Sequence, residues 1–493
     1  MSQPDILVFM TDQHTPFYSG WLGRNVGTPN LDRLCAGGTR FDQAYTPCPL
    51  CVPARMAMLS TLLPHKTGVF TNRDALPDTQ ATFLHPLVAA GYETVLCGRM
   101  HFVGPDQRHG FTKRIAPDIT ATSWGGAWQK NCETRGVFAT TFGAPGATAF
   151  AGGGTSPVLL YDELVIQRAL DYLAQPHEKP QCLFVSVYAP HFPYVAPKEL
   201  FEKYFARVQL SPTFGQTPPY LNAPLQRRQN VGVTQEKARA ALAAYCGMIE
   251  QVDWQFGQIW EAFEGFTARR GSEKLICYVS DHGDQVGDRS IYGKDTFFEK
   301  SVKIPLIFAG DGVQAGRAVN TPVSLLDLGP TLWDWLGTER IPQTDGESLV
   351  PALRGKALPT GRAVVSELLE LLTGNKFDPQ VMAAPKEYAF GVMVRQGAYK
   401  YICYHGFNEM LFTPECDPEE QRDLIEIEPE QAGRLRCIAE TVADPTAVEQ
   451  RQKWRDRKLD WFVMVEQTVG RDDSEWWLDC PPNARVKPEI CVE

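Results

Sequence analysis

Along this chain, short and nearly unbroken apolar runs alternate with longer amphipathic stretches. Residues 6–10 form one such run, closed by Thr11-Asp12-Gln13-His14, and residues 275–279 form another, closed by Ser280-Asp281-His282-Gly283-Asp284. A run of this length without a polar interruption predicts a strand covered on both faces, as in a parallel sheet. Residues 93–97 read the same way, as do 182–188, which lead into Ala189-Pro190-His191. Helical patterns separate these strands, for example over 236–263. The order strand, helix, strand predicts an open α/β sheet with helices on both faces, whose ligands bind beyond the carboxyl ends of the strands. Each strand named here ends on, or within a few residues of, a charged or metal-capable side chain.

Two stretches read as long loops: 140–156, rich in Gly and Ala, and 211–233, rich in Pro, Gln and Asn. After a helix-like segment at 324–336 comes a linker with repeated Gly and Pro, 337–360. Residues 388–394 and 399–404 then read as antiparallel strands, followed by a helical stretch and a tail carrying Trp454, Trp461, Trp476 and Trp477. The expected division is a catalytic domain over 1–360 and a C-terminal subdomain over 361–493, with a small antiparallel sheet, a helix and the tail. That tail could cap the core, cover a neighbouring subunit or narrow the mouth of the site.

Composition narrows the function classes. With 43% hydrophobic and 11% aromatic residues the chain is not intrinsically disordered. Lys and Arg total 48 against 58 for Asp and Glu, and the net charge of -10 argues against nucleic acid or an anionic membrane as the main partner. No stretch approaches the ~18 apolar residues of a membrane span, and the first apolar run is too short for a signal peptide, so the expected setting is the cytosol. Thirteen irregularly spread cysteines do not read as a disulfide framework; most are expected to be reduced and buried.

Asp12, Gln13, Asp281 and His282 place two carboxylates, an amide and an imidazole at the ends of two strands far apart in sequence. If those strands are neighbours, the four converge. Mostly oxygen donors suit calcium or magnesium, while the imidazole leaves manganese or zinc open. The plainer reading is that Asp12 fixes a turn and His282 is a satisfied core histidine. In Cys48-Pro-Leu-Cys51-Val-Pro-Ala-Arg55 a cysteine sits in a proline-containing turn before a helical pattern, with an arginine four residues on. A helix N-terminus and a cation favour an anion at Cys51, either a thiolate or a bound ester.

The segment CVPAR matches the Cys-x-Pro-Ser/Ala-Arg signature of the formylglycine-dependent sulfatases, within the alkaline phosphatase superfamily. TDQH, GRMHF (98–102), APHFP (189–193), SDHGD (280–284), YGKDTFFEKSVKIPLIF (292–308) and SLLDLGPTL (324–332) resemble further sulfatase landmarks in the expected order, and LFTPECDPEEQRDL (411–424) is similar to the family's late segment. The resemblance implies an alkaline phosphatase-like α/β fold: a large mixed, mainly parallel sheet sandwiched by helices, with a smaller C-terminal α+β subdomain. It implies that a maturation enzyme oxidises Cys51 to formylglycine, whose hydrated diol attacks sulfur. One divalent cation, calcium first and manganese or magnesium next, would be held by Asp12, Gln13, Asp281, His282 and position 51. Arg55 would hold the diol, His101 would take a proton from it, and His191 and Lys294 would face the leaving oxygen. Asn72 would line the anion pocket with Arg99, which stands where the family usually has lysine.

Gln13, His282 and GRMHFVGPDQRHGF resemble the branch that contains choline sulfatases and phosphonate monoester hydrolases. The implied activity is hydrolysis of a sulfate monoester of a small molecule or sugar; the alternative is a phosphonate monoester hydrolase or phosphodiesterase using the same site. A third reading keeps Arg55, Arg99 and Lys294 as a silent binding site. Trp124 and Trp128 could stack on a sugar or face a quaternary ammonium. Implied partners are the sulfated substrate and the maturation enzyme, with room for a homo-oligomer.

Overall fold

An apolar run leaves no face for water, and in the computed structural model the strand Asp5–Asp12 is buried along its whole length, parallel to Gln181–Pro190 on one side and Lys274–Ser280 on the other. The structure describes residues 3–22, 26–119, 147–373, 386–469 and 487–491. The central sheet has eight strands in the order Arg317–Val319, Gly38–Phe41, Leu306–Gly310, Lys274–Ser280, Asp5–Asp12, Gln181–Pro190, Glu93–Gly98, Lys113–Ala116. Only Leu306–Gly310 runs against the rest, so the sheet is mixed and mainly parallel.

Side chains alternate across a strand, and this splits the core in two. Leu7 and Phe9 point to one face, where they pack with Val165 of the helix Pro157–Ala174 and with Ile249 and Phe256 of the helix Gln235–Arg270. Ile6, Val8 and Met10 point to the other, toward Val52, Met56 and Leu59 of Cys51–Ser60 and Leu332 of Leu328–Leu336. Helices therefore cover both faces, as the sequence predicts.

The structure corrects the loop reading of 140–156. Ala151–Thr155 is a strand between Tyr194–Ala196 and Lys487–Cys491, while 140–146 lie outside the described residues. Three successive glycines give no hydrophobic period, yet they let the backbone come close: a Cβ at Gly153 would stand 2.9 Å from Cβ of Phe201. The segment 211–233 is irregular apart from the short helix Ala223–Gln226. Within 337–360, Leu349 and Leu353 are buried with Leu328, so this stretch is part of the core and not a bare connector.

Ala363–Leu371, Tyr388–Gln396, Tyr399–Tyr404 and Met410–Phe412 form a four-stranded antiparallel sheet. The helix Pro429–Val442 packs on one side of it, through Leu435 and Ala439 against Val392 and Val394. The other side shares a cluster with the front of the molecule: Val364, Leu368 and Met393 meet Tyr45, Phe297 and Phe298. Trp454 and Trp461 are exposed, and Trp124, Trp128, Trp476 and Trp477 lie outside the described residues. Cys35, Cys48, Cys51, Cys97, Cys182, Cys246 and Cys277 are buried free thiols. Among the described residues no helix is long and apolar enough to cross a membrane.

Candidate active site

The sheet register brings the two polar strand ends together. Thr11 pairs with Ser280, so Asp12 and Asp281 emerge side by side at the carboxyl edge. Beyond them the chain turns sharply, with Gln13 at a φ of 70°, and one oxygen of Asp281 accepts both Gln13 N–H (3.0 Å) and His282 N–H (2.9 Å). Cys51 opens its helix above this edge. Asn72 Oδ1 accepts the Val52 N–H at 3.0 Å, satisfying one of the free donors of that helix terminus. Ligand atoms of Asp12, Cys51, Asp281 and His282 all lie within 4.8 Å of one another, and all four residues are buried.

Charge is dense here and almost fully compensated. Arg55 lies under the carboxylates: Nε donates to Asp281 at 2.8 Å, Nη2 to Asp12 at 3.1 Å, and Nη1 to the Arg99 carbonyl at 2.9 Å and to Ser186 Oγ at 3.2 Å. Each nitrogen of its fork thus makes at least one bond, and Arg55 holds both carboxylates. Arg99 donates from Nε to Asp12 at 2.6 Å and lies 4.3 Å over the ring of Tyr188. Burial and the Cys51 sulfur push the Asp12 carboxyl up, but Arg99, His191 and Arg55 together hold it well below the usual carboxylate range. Burial likewise opposes ionisation of Cys51, and is overcome by Lys294 and His282, so the thiol is held far below its ordinary value. An anion at this position is what the site is built to hold.

Three histidines face Cys51 in two tautomers, fixed by their partners. His282 Nδ1 donates to the Gly283 carbonyl at 3.0 Å, which aims Nε2 at the Cys51 sulfur 3.2 Å away; with a proton it pairs with the thiolate, and without one its lone pair can ligate a cation. His191 Nδ1 donates to the Phe192 carbonyl at 2.7 Å, and its Nε2 accepts from Lys294 Nζ at 2.7 Å. At His101 the order is reversed: Arg99 Nη2 donates to Nδ1 at 2.8 Å, which puts the ring proton on Nε2. Burial and Arg99 hold His101 below the usual imidazole value, and burial and Lys294 do the same to His191. Burial lowers Lys294 too, but the Cys51 sulfur, Asp12 and Asp281 outweigh it and its value rises. Lys294 Nζ touches Cys51 Sγ at 3.1 Å and Gln13 Oε1 at 2.5 Å.

All the site residues read from the sequence thus lie in one cluster. Two carboxylates, an imidazole lone pair, an amide oxygen and position 51 make a donor set that fits a divalent cation. Sequence reasoning missed Asp118, a buried carboxylate just after the edge strand Lys113–Ala116. Its Oδ2 accepts the N–H groups of Met100 (3.1 Å) and His101 (2.7 Å), and Oδ1 lies 3.6 Å from Arg99. It holds His101 at a φ of 58°, a left-handed conformation that a non-glycine residue keeps only when its surroundings enforce it. The only signal was an acidic residue following Pro117 at a strand end. Asp284 closes the SDHGD motif, whose pattern alone assigns it no role.

The sequence model of the Sulfatase family matches residues 4–338. A choline-sulfatase of Rhizobium meliloti (strain 1021) is 33% identical over 447 residues, covering 86% of this chain and 83% of the relative. The multifunctional alkaline phosphatase superfamily protein PehA of Trinickia caryophylli is 27% identical over 496 residues, covering 89% and 94%. Among solved structures, the phosphonate monoester hydrolase of Agrobacterium radiobacter superposes with a TM-score of 0.71 at 22% identity, covering 92% of this chain and 96% of that one. A 2-O GAG sulfatase gives 0.68 at 23% identity, covering 89% and 92%. The fold is that of the alkaline phosphatase superfamily. This chain belongs to the sulfatase family, and it is a sulfuric ester hydrolase.

Proposed function

We propose that the protein hydrolyses the sulfate monoester of a small molecule or sugar to an alcohol and inorganic sulfate, with Cys51 converted to formylglycine and one divalent cation, calcium first, held by Asp12, Gln13, Asp281, His282 and position 51. The observation that carries the reading is the placing of a buried, anion-stabilised Cys51 at a helix N-terminus among two carboxylates, three histidines and Lys294. When present, the cation and the hydrated formylglycine supply Lewis-acid charge neutralisation and a hydroxyl nucleophile in place of the thiol.

The chain's own residues do the rest. Arg55 holds Asp12 and Asp281 in register. Lys294, the charged member of the Lys294–His191 pair, gives its proton to the leaving oxygen, while His191 Nε2 holds the ammonium in place. His101 in its resting tautomer donates from Nε2 toward position 51 and orients the side chain there. The proton-accepting role implied by the family resemblance requires it to exchange its bond with Arg99 first. Asn72, half-buried beside Val52, lines the entrance on the substrate side. The proposed site residues all lie within 1–360, and the four-stranded sheet packs through Val364, Leu368 and Met393 against Tyr45, Phe297 and Phe298.

The test is the mass of the peptide spanning Cys51, together with turnover of a nitrophenyl sulfate. Formylglycine in the active protein, and loss of turnover in Cys51→Ala, are the expected results; active protein carrying only unmodified cysteine would overturn the mechanism. The description of PehA as multifunctional lends support to the second reading, phosphonate monoester or phosphodiester hydrolysis at the same residues. A matched nitrophenyl phosphodiester assayed in parallel decides between them.

A further inference from the structure

We propose that Asp284 is a positioning residue that dictates which end of the Gln13 amide faces the cation site, so that Gln13 and Asp284 can be exchanged only as a pair. This rests on the reading of Gln13 as a metal ligand. The Asp284 side chain is wholly buried. Its Oδ1 accepts the backbone N–H of Val286 at 2.9 Å and of Gly293 at 2.8 Å; its Oδ2 accepts Tyr194 O–H at 2.8 Å and Gln13 Nε2 at 2.5 Å. At the other end of the same amide, Gln13 Oε1 accepts from Lys294 Nζ, which also touches the Cys51 sulfur.

The oxygen and nitrogen of an amide have nearly the same shape, so hydrogen-bond partners decide its orientation. Here a carboxylate, which only accepts, stands on one side, and an ammonium, which only donates, stands on the other. Both contacts are satisfied one way round. That way turns the oxygen, the end that can ligate a hard cation, toward Cys51 and Lys294. The Gln13 backbone adds no slack: its N–H donates to Asp281 and its carbonyl accepts from Tyr245 O–H at 2.6 Å.

The substitutions have forced outcomes. In Asp284→Asn the N–H groups of Val286 and Gly293 retain the side-chain oxygen, so the new NH2 faces Gln13. Two donors then confront each other; turning the Gln13 amide over relieves that clash but sets its N–H groups against Lys294 and the cation, so neither orientation is satisfied and the oxygen is no longer held toward the cation. Gln13→Glu instead sets two carboxylates face to face in a buried site. Combining both restores a donor against an acceptor and again offers the cation an oxygen.

Calorimetric titration of the full chain with calcium and with manganese, without substrate, reads the effect directly. Asp284→Asn is expected to bind at least about tenfold more weakly than wild type, the usual effect of removing a partner that orients a ligand. Gln13→Glu also weakens binding, and the double variant returns to within about threefold of wild type. Wild-type affinity in Asp284→Asn, or a double variant no tighter than Gln13→Glu, overturns the proposal. If Asp284→Asn fails to fold by circular dichroism, the comparison of Gln13→Glu with the double variant still decides. Should wild type bind neither cation, or Asp281→Asn bind as wild type does, the metal site itself is refuted, and this inference with it.

Discussion

Arg99 shows how much one side chain's shape matters in this site. Its planar fork serves Asp12 through Nε, His101 through Nη2 and Asp118 through Nη1 at once, whereas a lysine ammonium is a single point that reaches one of these groups and abandons the others. Arg99→Lys, although it restores the residue more usual in sulfatases, is therefore expected to lower kcat for a nitrophenyl sulfate by about tenfold, equivalent to roughly 1.4 kcal/mol in the barrier. Unchanged kcat in fully modified enzyme would show that the fork is not used. Much of the site was legible from residue types alone: Asp12, Asp281 and His282 could be joined because each ends an apolar run. Asp118 and Asp284 escaped because what they bind is backbone N–H, an arginine and an amide, groups that leave no motif of their own.

At the scale of elements, two devices hold the strand ends in place. Gly98 closes the strand Glu93–Gly98 with a φ of 98°, and a Cβ there would come within 2.2 Å of the Ser186 carbonyl. Gly98→Ala must displace the turn carrying Arg99 and His101, so a loss of about 1–3 kcal/mol in urea unfolding and a larger proportional loss of activity are expected; full activity would contradict this. On the neighbouring strand, Asp162 of Pro157–Ala174 accepts the N–H groups of Tyr188 (2.6 Å) and Ala189 (2.8 Å), just ahead of His191.

Burial pushes the Asp162 carboxyl up to about 7 against the two backbone bonds that pull it down. Between the unfolded value of about 4 and this one, the folded chain keeps a proton that the unfolded chain releases, so the contribution of Asp162 to stability falls as pH rises. Measured as the difference between wild type and Asp162→Ala, stability should decline by up to about 1.4 kcal/mol per pH unit between roughly pH 5 and 7, and level off above. A flat difference would place the carboxylate in better solvation than its surroundings provide. Strands built of Ile, Val and Phe were readable for the same reason they are buried. Ala151–Thr155 was not, since glycine supplies close approach without any pattern, and Leu349 and Leu353 were hidden by the Gly and Pro around them.

For the whole molecule, the junction between the N-terminal part and the C-terminal sheet carries a cluster of buried charges outside the active site. Lys400, fully buried, bonds Glu299 at 3.0 Å and also pairs with Glu420, and Arg395 donates to Tyr45 at 3.0 Å. Burial raises both carboxyls; Lys400, Lys303 and Arg395 bring Glu299 below its usual value, while Glu420 stays raised, so the two share one ammonium with unequal charge. Lys400→Met should destabilise the chain by about 3–5 kcal/mol, because buried Glu299 and Glu420 lose the ammonium they share; a melting temperature equal to wild type would argue that the pair is neutral. Glu299 begins the helix Glu299–Val302, five residues after Lys294. On the proposed mechanism, only this short stretch of chain separates the C-terminal sheet's ion pair from the ammonium assigned to the departing alcohol, so turnover of Lys400→Met, measured beside its melting temperature, reads whether strain passes along it.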